Sequence, residues 1–154
     1  MCPALIVARK VGSILRRARL RWEANGRNWR AWTTLMGKTV VLVVEDESML
    51  RLDAVQMVQE AGYSVLAAQD ADEAIKLLEE RSDISIVFTD INMPGSMDGL
   101  KLARAVRDRW PPVRLIVTSG KIRPTPSDIP EGGHFLPKPY TSHQVASLLH
   151  QLAA

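Results

Sequence analysis

Thr39-Val-Val-Leu-Val-Val44 is an unbroken run of β-branched and aliphatic residues, followed at once by Glu45-Asp46-Glu47. A strand with no polar alternation is buried on both faces, which requires helices above and below a parallel sheet. The rest of the chain supplies them. Ser48 can cap a helix running to about Ala61 and ended by Gly62. Tyr63 to Ala67 reads as a second strand, and Asp70 to Glu80 as a helix with Ala71, Ala74, Ile75 and Leu78 at helical spacing. Ile84 to Thr89 is a third strand, ending at Asp90, and a Pro-Gly loop (Met93 to Gly99) leads to a helix from Leu100 to Trp110, stopped by Pro111-Pro112. Arg114 to Thr118 and His134 to Leu136 complete five strands, and Ser142 to Leu152 is a closing helix. The expected architecture is a doubly wound α/β fold. Its fourth helix should be short, distorted or missing, because Pro124, Pro126 and Pro130 stand between Gly120 and Gly132.

Charge divides the chain in two. Residues 1–36 carry eight basic side chains against one acid, Glu23, a net +7, together with Trp22, Trp29 and Trp32. From Gly37 onward 12 basic side chains face 16 acidic ones, a net −4. The high pI therefore belongs to the leader, and a nucleic-acid reading of the whole chain is excluded. Leu5 to Leu20 can form a basic amphipathic helix, yet the leader lacks the core and cleavage site of a secretory signal. Two readings of it stand side by side: a mis-assigned start or disordered tail, with translation beginning at Met36, or a genuine basic arm. The expected division is a leader over 1–36 and a folded domain over 37–154. No apolar run reaches the roughly 20 residues of a membrane-spanning helix. A lone cysteine, Cys2, excludes a disulfide framework and points to a reducing, cytoplasmic setting.

Ligands of open α/β sheets bind outside the carboxyl ends of the strands. At those ends stand Glu45-Asp46, Asp90, Thr118-Ser119 and, past strand five, Lys138. Converging carboxylates repel one another unless a cation joins them, and an all-oxygen set suits Mg²⁺. A carboxylate can also attack phosphorus to give an acyl phosphate, whose oxygens an ammonium and a hydroxyl would bind.

From about Lys38 to Leu152 the chain resembles the receiver domain of bacterial response regulators. The resemblance is carried by Glu45-Asp46, by Asp90-Ile-Asn92-Met-Pro94-Gly, by Thr118 and by Lys138-Pro139, at separations of 44, 28 and 20 residues from Asp46 onward. It implies a flavodoxin-like (β/α)5 sheet of strand order 2-1-3-4-5. It further implies that Asp90 is the phosphoacceptor. Mg²⁺ would be held by Asp46, Asp90 and the Asn92 backbone carbonyl, with Glu45 acting through water. Thr118 and Lys138 would bind phosphoryl oxygens, Phe135 would be the aromatic switch, and the Lys138-Pro139 bond would be cis. The implied partners are a histidine kinase or phosphotransfer protein and a downstream protein, with a homodimer left open and no membrane.

Some positions depart from the common pattern. The Pro94–Gly99 loop is one residue longer, Glu45 stands where aspartate is more frequent, and Gly120 leaves the position two past the threonine without a side chain. The prolines of 123–130 disrupt the usual output surface. The expected function is thus a stand-alone phosphorylatable switch. Two other classes compete with it. A phosphoaspartate phosphohydrolase would need a second carboxylate where Asn92 stands. A nucleic-acid-binding regulator would act through the basic leader.

Overall fold

The computed structural model describes residues 39–154; the leader reading falls outside these residues. Strands β1 (Val40–Val44), β2 (Ser64–Ala68), β3 (Ile84–Asp90), β4 (Arg114–Ser119) and β5 (Gly133–Pro137) alternate with helices α1 (Ser48–Glu60), α2 (Ala71–Glu80), α3 (Gly99–Arg109) and α4 (Ser142–Ala153). The five strands form one parallel sheet in the order β2-β1-β3-β4-β5. This is the doubly wound, flavodoxin-like arrangement.

The apolar run of β1 is buried at all five positions, because alternate side chains enter two separate cores. On one face Leu42 and Val44 pack with Val87, Leu115 and Val117 beneath Ala74 and Leu78 of α2 and Leu102 and Val106 of α3. On the other, Val41 and Val43 pack with Ile86, Phe88 and Ile116 beneath Val58 of α1 and Val145 and Leu149 of α4. Leu102 and Leu149 are wholly buried, each contributing about 2 kcal/mol of burial free energy.

Helix starts follow local chemistry. Asp70 accepts from the Glu73 N–H at 2.8 Å, while Glu73 accepts from the Gln69 N–H at 2.8 Å, closing a reciprocal cap on α2. Asp98 accepts from the Lys101 N–H at the head of α3. One expectation is corrected here. Ser48 does not cap α1; it is the first helical residue, and Glu47 occupies the cap position without a side-chain bond. The Glu47 N–H instead donates to the Glu45 side chain at 3.3 Å, so the turn after β1 is organised by an acid at the sheet's end.

No helix forms between β4 and β5 among the described residues. The prolines remove backbone donors that a helix would need. Asp128 closes the segment locally by accepting from the N–H and hydroxyl of Thr125 at 2.8 and 2.7 Å. Where the chain re-enters the sheet, a Cβ on Gly133 would lie 2.6 Å from Ile129 Cγ2 and 2.9 Å from the Pro130 carbonyl oxygen. Only glycine lets the segment fold back so closely.

Candidate functional site

Strand register brings the chemistry together. Val44 lies opposite Thr89, and Asp90 opposite Thr118, which in turn faces Leu136. Glu45, Asp90 and Thr118 therefore follow one another across the carboxyl edge of the sheet, with Lys138 two residues beyond Leu136. The peptide bond between Lys138 and Pro139 is cis, as expected.

Carboxylate oxygens of Glu45, Asp46 and Asp90 all lie within 4.8 Å of one another. Glu45 and Asp90 are buried, at 5 % and 6 % exposure, while Asp46 faces solvent. Lys138 Nζ bridges the two buried acids, 2.7 Å from Glu45 Oε2 and 2.9 Å from Asp90 Oδ1. Asp90 Oδ2 accepts from the Asn92 N–H at 2.8 Å, so each of its oxygens has a partner.

The electrostatics follow from this crowding. Burial pushes the Glu45 carboxyl above its ordinary value of 4.5; the Lys138 hydrogen bond and charge oppose the rise, and the Asp90 charge adds to it. For Lys138, burial works against the ammonium, but hydrogen bonds to Glu45 and Asp90 and their charges outweigh it and hold the group above 10.5. Tyr140, whose ring sits 5.6 Å from Phe88, has its hydroxyl raised above 10.0, chiefly by burial.

Three carboxylates and the Lys138 ammonium leave the site with excess negative charge at its exposed side, where Asp46 stands. Its donors are all oxygen, within coordination reach of a single hard divalent ion. Thr118 is 2 % exposed, its hydroxyl donating to the Thr89 carbonyl at 3.4 Å. Phe135 is half-buried and packs on the α2–α3 face. All seven residues singled out in the sequence thus lie at or beside the carboxyl edge, with Phe135 one layer below it.

Arg51 and Gly99 shape the site and were not singled out from the sequence, and Ser119 was placed there at its strand end without a role of its own. Arg51, from α1, donates through Nη1 to the backbone carbonyls of Glu45 at 2.7 Å and Asp46 at 3.1 Å, tying the acidic turn to the helix. Gly99 opens α3 directly against the β3 end, where a Cβ would stand within 3 Å of Asp90 backbone atoms. Ser119 donates to Asn92 Oδ1 at 2.9 Å. Arg51 and Ser119 act on loop partners whose approach no local pattern encodes. The Asp98-Gly99 pair at a helix start was the one available signal.

Comparison with known proteins agrees with this geometry. Residues 41–149 match the response regulator receiver domain family. The chain is 36 % identical over 126 residues to the sensor kinase CckA of Brucella abortus, covering 78 % of this chain and 13 % of that protein. It is 39 % identical over 83 residues to the hydrogenase transcriptional regulatory protein HoxA of Cupriavidus necator, covering 54 % of this chain and 17 % of that one. The chain thus spans a small part of these curated relatives. Among solved structures, the receiver domain of the hybrid histidine kinase CckA superposes with a TM-score of 0.63 at 31 % identity, covering 75 % of this chain and 99 % of that one. A response regulator receiver protein from Sinorhizobium medicae gives 0.66 at 29 % identity, covering 76 % and 95 %. With its sheet order, its acidic strand ends and the extent of these matches, the chain belongs to the response regulator receiver domain family.

Proposed function

We propose that residues 37–154 form a phosphoacceptor switch in which Asp90 takes a phosphoryl group from the phosphohistidine of a histidine kinase or phosphotransfer protein. An Asp90 carboxylate oxygen attacks phosphorus as the P–N bond breaks, and the electron pair leaves with the imidazole, which takes up a proton. The observation that carries this reading is the Lys138 ammonium bridging Glu45 and Asp90 beside a third carboxylate.

The donor set fits Mg²⁺, which Asp46, Asp90 and the Asn92 backbone carbonyl would hold, with Glu45 reaching it through water. The bound ion would supply charge neutralisation for the transferred oxygens. Lys138 neutralises the acceptor and binds a phosphoryl oxygen once the phosphate is in place. Thr118 would exchange its Thr89 carbonyl for another phosphoryl oxygen, and Phe135 would move inward into the room this leaves. Such a step biases two packings of the β4–β5 edge. The protein catalyses only its own modification and its reversal, and signals in the cytoplasm by contact with a downstream protein.

Acetyl phosphate or beryllofluoride with Mg²⁺, applied to wild type and Asp90→Asn, tests the assignment. Wild type should take up one equivalent and Asp90→Asn none. Modification persisting in the variant would reject Asp90 as acceptor.

A further inference from the structure

Ser119 is 3 % exposed and stands where three loops meet. Its hydroxyl donates to Asn92 Oδ1 at 2.9 Å and accepts from the Ile122 and Lys121 N–H groups at 2.9 and 3.2 Å. Its carbonyl accepts from the Lys138 N–H at 3.0 Å. One hydroxyl proton and two lone pairs are the full capacity of a serine side chain, and all three are used. A buried hydroxyl committed to three partners in two loops has a fixed geometry, and it fixes its partners in turn.

Asn92 is the partner with most to lose. Its side chain is exposed, and it stands in a loop that turns away from the sheet. Two bonds to neighbouring side chains hold it, its N–H to Asp90 Oδ2 and its side chain to Ser119, and the Met93 N–H, on the peptide that carries the Asn92 carbonyl, donates to the Ile91 carbonyl at 3.1 Å. The first orients the peptide on the Asp90 side, and the second draws the residue against the end of β4. We infer that Ser119 is a positioning residue for the cation side of the site: by holding the Asn92 side chain it fixes, together with the Met93–Ile91 backbone bond, the direction of the Asn92 carbonyl. The inference rests on the proposed Mg²⁺ role of that carbonyl and extends it to a group that never touches the ion. Outer partners of metal ligands typically carry roughly 10-fold in affinity.

Calorimetric Mg²⁺ titration of wild type, Ser119→Ala, Ser119→Thr, Asn92→Ala and the Ser119→Ala/Asn92→Ala double variant tests it, alongside thermal melting. Ser119→Ala should raise the Mg²⁺ dissociation constant roughly 10-fold, and Ser119→Thr should restore it. Acetyl phosphate uptake should slow at low Mg²⁺ and recover at saturation. The double variant should be no weaker than Ser119→Ala alone, since one bond is lost in both. Wild-type Mg²⁺ affinity in Ser119→Ala, or additive losses in the double variant, would overturn the inference while leaving the phosphoacceptor reading intact. Failure of wild type to bind Mg²⁺ at all would overturn both.

Discussion

Lys138 is the residue on which the site's electrostatics turn. It is the cation that compensates two buried carboxylates, and removing one partner of such a set strands the others. Lys138→Ala should keep the fold, lose about 2 kcal/mol of stability without divalent ion, and regain part of it with Mg²⁺; denaturant titration with and without the ion reads both. Its response to beryllofluoride should be blunted. Glu45 gives the opposite sign. Its folded value lies above 4.5, so the native state holds a proton that the unfolded chain releases, and ion-free stability falls as pH rises through that interval. Glu45→Gln should flatten this slope, which melting curves between pH 4 and 7 will show. These acids and the lysine were legible in the sequence because strand ends mark where they converge. The roles of Ser119 and Arg51 were not, since their partners are loop atoms fixed only by the folded chain.

Elements add constraints that single residues do not show. Helix α3 begins on a glycine laid against the backbone of the proposed phosphoacceptor, so helix and acid are placed together. Gly99→Ala would force the two apart, costing about 1–3 kcal/mol and weakening Mg²⁺ binding in parallel; a variant with unchanged melting and affinity would show that the loop absorbs the methyl freely. The strands and helices themselves were readable from apolar runs and proline stops, with ends displaced by a residue or so. The start of α1 was misjudged by one residue: the Arg51 N–H already donates to the Glu47 carbonyl, which opens the helix ahead of Ser48 and leaves the serine inside the first turn. The absence of a helix between β4 and β5 among the described residues was foreseeable from the prolines there. What replaced it, a segment closed by Thr125 and Asp128 and seated on Gly133, depended on contacts across the chain.

At the scale of the whole molecule, a ligand that binds only the folded state stabilises it by mass action, about 2.7 kcal/mol at a concentration 100 times its dissociation constant. Mg²⁺ should therefore raise the melting temperature of wild type, and the rise should shrink in Asp46→Asn; equal shifts would place the ion elsewhere. The two charge regimes of the sequence make a separate prediction. Should the leader act as an arm, deleting residues 1–36 would remove a salt-dependent affinity for DNA or RNA; affinity unchanged by the deletion would rule out that role. Among the described residues no helix is long and apolar enough to cross a membrane.

The proline-containing segment ahead of β5 leaves the β4–β5 crossover without a helical surface. An effector that grips a regular helix at that place would meet a stiff, irregular strap with Ile122 turned outward. A partner shaped to such a helix would lose contact area there, a geometric cost that acts independently of charge.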